Sequence, residues 1–248
     1  MVSLSQANAL SDALRIKNLI QEKASIHYFY RSSYDRYTKW LETCPKEGLA
    51  IELGSGMGCV KDYISEVITT DIIPYPGLDM VLDATEMSYE NETLSFICML
   101  NVFHHISNVE KFLEEAQRCL KPKGKIHIID QHAGFLGRLI FKWFHHESFE
   151  PEALDWNFNS QDPVNDANGA LAWIVFQRDQ AIFQERFPNL EIIEYCPHTP
   201  LYYWLSGGLK NWSLLSKNMI STATKFDKFI SSLSLGANCF VDVVIEKN

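Results

Sequence analysis

From Leu49 onward, short apolar runs alternate with stretches whose apolar residues recur at helical intervals. This alternation is typical of βαβ units that build a parallel sheet. The five runs predicted to be strands span residues 49–53, 67–71, 79–83, 94–100 and 125–130. Two later runs, at 190–195 and 238–246, are predicted to close the sheet as an antiparallel pair. The sequence therefore predicts an α/β fold with a mostly parallel, seven-stranded sheet and helices on both faces.

Helical periodicity is clearest in four places outside these runs. Residues 4–43 are predicted to be helical, and Tyr30, Tyr34 and Tyr37 fall on one face. The helix between the fourth and fifth strands is predicted to begin with a capping box formed by Ser107 and Glu110. Further helical segments are predicted near 168–187 and 213–234. The chain of 248 residues is long enough for one large domain.

Charge and cysteine usage narrow the functional classes. A formal net charge of -9 would repel a phosphate backbone, so nucleic acid is not an expected partner. The six cysteines are scattered and lack metal-ligand spacing, which indicates reduced thiols in a cytoplasmic protein. No stretch has the form of a signal peptide or a membrane span.

A glycine-rich turn follows the first predicted strand. Gly54, Gly56 and Gly58 stand at alternate positions, which suits a sharp bend and close approach of a ligand to the backbone. The spacing is G-x-G-x-G, whereas a dinucleotide fingerprint has a glycine where this chain has Cys59. Asp71 ends the second predicted strand, so its carboxylate is expected at the same edge of the sheet, where it can accept ribose hydroxyls.

These features resemble the Rossmann-like class I S-adenosylmethionine-dependent methyltransferases, in particular those that act on small molecules, lipids and quinones. The resemblance covers residues 49–130. It implies S-adenosyl-L-methionine as the cofactor, with the first-strand acid and glycines around its methionine part, Asp71 at the ribose and Asp83 at the adenine. The cofactor residues that it implies are Glu52, Gly54, Ser55, Gly56, Gly58, Asp71, Ile72, Asp83, Ala84, Asn101 and Val102.

The resemblance also implies how the chain is divided. We expect a single methyltransferase domain over residues 1–248. Its predicted parts are N-terminal helices at 1–45, the cofactor-binding core at 46–133, a lid or cap on the substrate side at 134–188 and 199–236, and closing strands at 189–198 and 237–248.

Methyl transfer from a sulfonium is an in-line displacement, so alignment and exclusion of water matter most. An acidic acceptor would also need a base, and histidine titrates near neutrality. His105 follows the fourth strand and His132 the fifth, which makes both candidate catalytic bases. The alternative is that each is a hydrogen-bonded pocket histidine without a role in proton transfer.

The second half of the chain bears on the acceptor. Five of the six tryptophans follow residue 131, a concentration that suggests a bulky, apolar or lipid-like acceptor; for any single aromatic residue, the alternative of a place in the core of the helical cover is favoured. The apolar stripe around 213–234, with Lys217, Lys225 and Lys228 nearby, predicts an amphipathic helix. Such a helix usually docks on its own domain; the alternative is contact with a membrane or a partner. His145, His146 and Glu147 lack an evident further ligand, so no metal site is expected.

Two other functions remain open. A binding protein can keep this fold without turnover, and an NAD-type oxidoreductase also uses a glycine loop and a ribose acid. The G-x-G-x-G spacing counts against the oxidoreductase. Methylation of nucleic-acid bases would lead us to expect prolines after the fourth strand, where this chain has Asn101-Val102-Phe103-His104. The sequence leaves the acceptor atom and the oligomeric state undetermined.

Overall fold

A seven-stranded sheet organises the chain, with the strand order β3-β2-β1-β4-β5-β7-β6. The computed structural model describes the backbone of residues 4–144, 147–162 and 165–248, and the side chains from residue 10 onward within those ranges. The strands are β1 Leu49–Glu52, β2 Ile68–Asp71, β3 Met80–Val81, β4 Leu94–Leu100, β5 Leu120–Gln131, β6 Leu190–His198 and β7 Phe240–Lys247.

The first five strands are parallel, and β7 runs antiparallel to both β5 and β6. The predicted fold class is therefore confirmed, including the antiparallel closure by the last two strands. Several strand boundaries differ from the prediction, among them those of β3 and β5. The third strand ends at Val81, so Asp83 lies two residues beyond it, and β5 begins at Leu120, so the Lys121–Gly124 turn is part of that strand.

Helices cover both faces of the sheet. They are α1 Leu4–Glu22, α2 Ala24–Leu41, α3 Val109–Cys119, α4 Phe135–Phe144, α5 Leu171–Trp173, α6 Gln180–Arg186, α7 Tyr202–Leu205 and α8 Ile220–Leu233. A π-helical turn, Ile174–Arg178, joins α5 to α6. The predicted capping box is wrong, because Asn108 caps α3 by accepting a hydrogen bond from the Lys111 amide at 3.0 Å.

The core lies in two layers, one on each face of the sheet. On one face, Phe112 and Leu113 of α3 are fully buried with the α5–α6 region. On the other, α2 packs its tyrosines against the sheet, where Tyr37 meets Phe96 of β4 with ring centroids 6.2 Å apart. The predicted tyrosine face of the N-terminal helices is thus an inward face, as the 3.6-residue period requires.

Helix α8 reverses the usual amphipathic arrangement. Phe226, Phe229 and Leu233 are more than half exposed, whereas Asp227 is buried. The Asp227 Oδ1 atom accepts hydrogen bonds from the amides of Leu201 and Tyr202, each at 2.8 Å, at the start of α7. This carboxylate therefore helps to hold the helix, together with Ile220 and Ala223, which pack against the core. The large side chains of Phe226, Phe229 and Leu233 face outward. Within the described part of the chain, no helix is both long enough and apolar enough to span a membrane.

Candidate cofactor and acceptor site

The sheet order reverses direction between β1 and β4. From β1 the chain adds β2 and β3 on one side, while β4 and β5 extend the other side. In open α/β sheets, a crevice forms at the carboxyl ends of the strands where this reversal occurs, and ligands bind there. The residues that follow β1, β2 and β4 are therefore the ones to inspect for a ligand site.

The glycine loop leaves β1 at this point, with Gly54, Gly56 and Gly58 all at φ values between 53° and 69°. This left-handed conformation favours glycine. A β-carbon on Gly54 would also collide with the Val102 side chain, whereas one on Gly56 would meet no atom within 4 Å. Val102 thus packs on the base of the loop, and the space above Gly56 is open to a ligand.

Asp71, the last residue of β2, forms a hydrogen bond to the same loop. Its Oδ2 accepts a hydrogen bond from the Gly56 amide at 2.9 Å, and its Oδ1 accepts one from the Ile73 amide at 3.0 Å. Burial raises the pKa of Asp71, and the hydrogen bonds that its carboxylate accepts from backbone amides oppose that rise. The carboxylate is buried at the strand end, as predicted, and each oxygen keeps a lone pair for a ligand hydroxyl.

Ser55 ties the loop to the two strands. The Ser55 amide donates to the Thr70 carbonyl at 2.9 Å, and the Ser55 hydroxyl donates to the Glu52 carbonyl at 3.1 Å. The Thr70 amide in turn donates to Ser55 Oγ at 3.2 Å. These bonds hold the glycine loop in one position between β1 and β2.

Glu52 ends β1 and is buried beneath the loop. Burial raises its pKa to about 7; a Ser55 hydrogen bond opposes the rise, and the nearby Asp71 carboxylate adds to it. Tyr30 of α2 lies close enough for the Glu52 charge to help raise the tyrosine's pKa, although burial is the main cause. Glu52 is thus a buried carboxyl group near the tyrosines of α2. A cationic ligand group beside it would stabilise its ionised form.

The other residues implied for the cofactor lie along the same edge. The Leu82 amide donates to the Asp71 carbonyl at 2.9 Å, which sets the segment after β3 beside the end of β2. Asp83 is exposed, and its Oδ1 accepts bonds from the Thr85 amide and hydroxyl at 2.7 Å each. Ile72 is 43% exposed and Ala84 is half-buried.

Asn101 follows β4 with a φ of 56°, a conformation that asparagine tolerates better than most residues. Its amide donates to the Ile129 carbonyl at 2.9 Å, and its Oδ1 is buried without a hydrogen-bond partner among the described residues. A buried acceptor of this kind normally finds a partner. Together with the open space at Gly56, it makes the crevice compatible with a polar nucleoside such as S-adenosyl-L-methionine.

A second polar group follows β4 and β5. His104 is buried, and its Nδ1 donates to Asp130 Oδ1 at 2.6 Å, while its Nε2 lies 3.3 Å from Glu147 Oε2. Burial lowers the pKa of His104, but the Asp130 and Glu147 carboxylates outweigh it and raise the value to about 10. His104 is therefore an imidazolium between two acids at neutral pH.

Unlike His104, His105 is a neutral imidazole. Burial and the neighbouring His104 cation lower its pKa. Its Nδ1 donates to the Asp166 carbonyl at 3.0 Å, because a carbonyl can only accept, so Nε2 carries the lone pair. That Nε2 lies 3.9 Å from Glu147 Oε1, and the side chain is 19% exposed. His105 is thus a neutral acceptor with partial access to solvent.

His132 lies elsewhere on the edge. Its amide donates to the Cys239 carbonyl at 2.8 Å, and its Nδ1 lies 3.0 Å from the hydroxyl of Tyr195 on β6. Burial, with a smaller contribution from Arg138, lowers its pKa to about 4. The two histidines proposed as bases are therefore in different surroundings, and only His105 adjoins the carboxylate of Glu147.

Sequence reasoning did not connect Glu147 with His104 and His105. The structure joins them through the segment 166–170: the Asn168 amide donates to the His104 carbonyl at 2.9 Å, and Asn168 Oδ1 accepts from the Glu150 amide at 3.0 Å. The Gly169 amide donates to the Ser148 carbonyl at 2.9 Å. Glu147 was considered with His145 and His146, but these two histidines lie outside the described residues.

A methyltransferase domain family model matches residues 37–128, the part of the chain that contains β1 to β4, the glycine loop and most of β5. The resemblance to class I S-adenosylmethionine-dependent methyltransferases is confirmed. The matched region includes every residue implied for the cofactor, and the seven-stranded sheet extends beyond it. No curated protein sequence matches the chain.

Solved methyltransferases share the fold over most of the chain. Geranyl diphosphate C-methyltransferase from Streptomyces coelicolor A3(2), solved with S-adenosyl-L-homocysteine, is 11% identical with a TM-score of 0.56, covering 94% of this chain and 84% of that one. A putative methyltransferase from Haloferax volcanii, solved with its activator Trm112, is 14% identical with a TM-score of 0.54, covering 95% and 93%. At these identities the likeness shows the fold alone.

Proposed function

We propose that this methyltransferase domain binds S-adenosyl-L-methionine at the carboxyl ends of β1, β2 and β4 and methylates a small, apolar or lipid-like acceptor. One observation carries the proposal. The glycine loop meets Asp71 from one side and Val102 from the other, at the point where the strand order reverses. An open space above Gly56 lies between a ribose-binding type of carboxylate and the end of β4.

The cofactor residues divide by chemistry. Asp71 accepts the ribose hydroxyls, because its oxygens retain lone pairs beside the amides they already accept. Glu52 faces the cationic methionine end through the loop of Gly54, Ser55, Gly56 and Gly58. Ile72, Asp83 and Ala84 lie along the adenine side, and Asn101 and Val102 form the floor beside β4. Solved relatives of this fold contain S-adenosylmethionine or its demethylated product, which supports the cofactor assignment.

When bound, the cofactor supplies a methyl carbon on a sulfonium sulfur. The protein aligns an acceptor with that carbon and excludes water. Of the two histidines, His105 is the better acceptor of a proton from the substrate, because its Nε2 carries a lone pair and its side chain is partly accessible. His132 stays a weaker candidate, since a pKa of about 4 makes it a poor base.

Exposed apolar side chains support an apolar acceptor. They lie on α4 and around α8, and the turn after α8 touches the start of α4, where Gly236 meets Phe135. The exposed set is Phe135, Leu139, Trp143, Phe144, Leu214, Met219, Phe226, Phe229, Leu233 and Leu235. Monomeric proteins rarely expose contiguous apolar patches, and a large patch of this kind usually marks an interaction site. We assign 134–188 and 199–236 to the acceptor side of the domain on this basis.

The same surface suits peripheral contact with an anionic membrane. Lys225 and Lys228 are exposed on α8 beside Phe226 and Phe229, which gives the combination of basic and apolar side chains that interfacial helices use. Co-sedimentation with vesicles of mixed anionic and neutral lipids is expected to retain the wild type. The doubly substituted Phe226→Ser, Phe229→Ser protein should stay in the supernatant. Equal retention of both proteins would remove the membrane from the proposal.

Isothermal titration distinguishes the proposed function from its alternatives. The chain is expected to bind S-adenosyl-L-methionine and not NAD, and binding of NAD alone would indicate an oxidoreductase. Transfer of a labelled methyl group to fractionated apolar metabolites is expected for the enzyme. Cofactor binding without transfer to any fraction would favour a binding protein.

Substitution of Asp71 tests the cofactor site directly. Asp71→Asn replaces charged acceptors with one amide oxygen, and hydrogen bonds to a charged group contribute about 1.5–3 kcal/mol each. We expect S-adenosyl-L-methionine to bind at least tenfold more weakly. Asp35→Asn, at an exposed position of α2, is the matched control and should bind as the wild type does. Unchanged affinity in Asp71→Asn would contradict the assignment.

A further inference from the structure

Three side chains with metal-ligand chemistry converge near the carboxyl end of β4. His104, His105 and Glu147, here called the His–Glu cluster, each place one ligand atom within 4.8 Å of the other two. The His104 Nε2 and Glu147 Oε2 atoms are 3.3 Å apart, and the His105 Nε2 and Glu147 Oε1 atoms are 3.9 Å apart. Ligand atoms around a tetrahedral zinc ion stand about 3.3 Å apart, so the first pair already has that separation.

Both rings are oriented as metal-bound histidines are. His104 Nδ1 donates to the Asp130 carboxylate at 2.6 Å, and His105 Nδ1 donates to the Asp166 carbonyl at 3.0 Å. Histidine ligands almost always donate their second nitrogen to a carboxylate or a backbone carbonyl, which fixes the ring and raises its basicity. The two Nε2 atoms are thereby left to face Glu147.

We propose that His104 Nε2, His105 Nε2 and the Glu147 carboxylate bind a single divalent transition-metal ion, with zinc the first choice. Two histidines and one carboxylate are the donor set of zinc sites that keep a fourth position open for water or substrate. Imidazole donors favour zinc, cobalt or iron over magnesium, which prefers oxygen ligands and retains its waters. The partial exposure of His105 and Glu147 gives these two side chains room to close on the ion.

The charges of the site balance with a metal present. His104 lies between the Asp130 and Glu147 carboxylates, so these two negative charges match the charge of a divalent ion. Ligand binding requires the lone pair on His104 Nε2, so any proton on that nitrogen leaves to the solvent. The Nδ1 proton stays on His104 in its bond to Asp130. The ion therefore lies between the imidazole ring and Glu147.

The role of the ion rests on the proposed function. His104 is two residues beyond Val102, which packs on the glycine loop, so the ion would lie near the end of β4 that adjoins this loop. An acceptor hydroxyl bound there loses its proton to solvent more readily, because the metal stabilises the oxyanion. The oxygen then attacks the methyl carbon, and the electron pair of the broken carbon–sulfur bond stays on sulfur. The ion would thus replace His105 as the means of deprotonation.

Metal titration of the full chain, without a purification tag and after removal of metals by chelator, tests the site. Zinc chloride should bind at one equivalent with a dissociation constant in the micromolar range or tighter. Cobalt chloride should give visible absorption bands typical of a low-coordinate site. Glu147→Gln and His105→Gln keep the side-chain size and should each weaken zinc binding at least tenfold.

Two further variants make the result specific. His27→Gln is the matched control, since His27 contacts Tyr63 at 3.1 Å and is outside the cluster, and its zinc binding should equal that of the wild type. Asp130→Asn retains all three ligands but alters the bond to His104, so its affinity should fall by roughly 10–100-fold. Because Cys196 is an exposed thiol, the series is made in a Cys196→Ser background.

The outcomes are decisive for either proposal. Circular dichroism and melting temperature first confirm that each variant folds, and His105→Gln and Glu147→Gln provide two independent tests. Binding of less than one equivalent by the wild type, or equal binding by wild type and Glu147→Gln, overturns the metal site. S-adenosyl-L-methionine titrated into the metal-free protein tests the proposed function separately. Cofactor binding without zinc binding refutes only the metal site, and zinc binding without cofactor binding refutes only the proposed function.

Discussion

Val102 lies directly against Gly54, so closely that a β-carbon at position 54 would overlap the valine methyl groups. This contact joins the end of β4 to the loop that leaves β1. The glycine therefore has two reasons to be there: its φ of 67° and the proximity of a branched side chain.

The first prediction concerns stability. Gly54→Ala should lose roughly 1–2 kcal/mol for the left-handed backbone and about 1–3 kcal/mol more for the collision with Val102. Gly77→Ala is the control, because Gly77 has a φ of 89° and open space at the β-carbon, so only the backbone penalty applies. Urea unfolding measures both. Equal losses in the free energy of unfolding for the two variants would show that Val102 moves aside without destabilising the protein.

The second prediction separates ligand contact from backbone strain. Gly56, like Gly77, has a positive φ and nothing within 4 Å of an added β-carbon. Gly56→Ala and Gly77→Ala should therefore lose similar stability, about 1–2 kcal/mol each. Only Gly56→Ala should lose affinity for S-adenosyl-L-methionine, because the methyl group would occupy the proposed cofactor space. Titration calorimetry decides, and normal affinity in Gly56→Ala would place the cofactor elsewhere.

The third prediction follows from the buried Glu52. Its folded pKa of about 7 exceeds the ordinary value near 4.5, so between these pH values the folded chain keeps a proton that the unfolded chain releases. Stability from this group is therefore greatest at low pH and falls as the pH rises towards 7. The full difference is about 3 kcal/mol at 1.36 kcal/mol per pKa unit.

Urea unfolding at several pH values between 4.5 and 8 measures this effect as a difference between wild type and Glu52→Gln. Because other titrating groups are shared, they cancel in the difference. The wild type should lose stability relative to Glu52→Gln up to about pH 7, and the difference should then level off. Glu66→Gln, at an exposed position, should show no such trend. A flat difference for Glu52→Gln would mean that Glu52 is ionised in the folded protein.

The sheet could be predicted from the sequence because each strand has a local sequence pattern. Fully buried strands such as β4 appear as continuous apolar runs, and each carboxyl end carries its polar residue, as Glu52 and Asp71 do. The predicted third strand, at 79–83, is longer than β3, because only two residues of β3 pair with β2. Asn108 caps α3 instead of Ser107 because both residue types can cap, and the sequence alone does not choose between neighbours.

The acceptor side depends on contacts that are distant in sequence. Glu147 is held near His104 by contacts distant in sequence, among them the bonds of Asn168 to the His104 carbonyl and the Glu150 amide. No periodicity or motif encodes that bridge. The same holds for α8, whose apolar spacing was compatible with docking on the domain. The docking side of α8 carries Ile220 and Ala223, which pack against the core. It also carries Asp227, whose carboxylate binds the amides of Leu201 and Tyr202.

The fourth prediction uses that anchor. On most amphipathic helices, replacing the aromatic residues destabilises the protein and replacing an aspartate does little. On α8 the order should be reversed. Asp227→Ala removes a buried acceptor of two backbone amides and leaves both unsatisfied, a loss on the order of 3 kcal/mol. Phe226→Ser with Phe229→Ser should change stability by about 0.5 kcal/mol or less, because both rings are already more than half exposed.

Thermal and urea unfolding of these variants provide the comparison, and Asp227→Asn refines it. Asparagine keeps an oxygen at the position of Oδ1, so this variant should retain more stability than Asp227→Ala. Burial raises the pKa of Asp227, so the charged form has little excess advantage there over a neutral acceptor. If the aromatic pair proved more costly to replace than Asp227, the helix would have to pack through its apolar stripe, and the outward face proposed for an apolar acceptor or membrane would not exist.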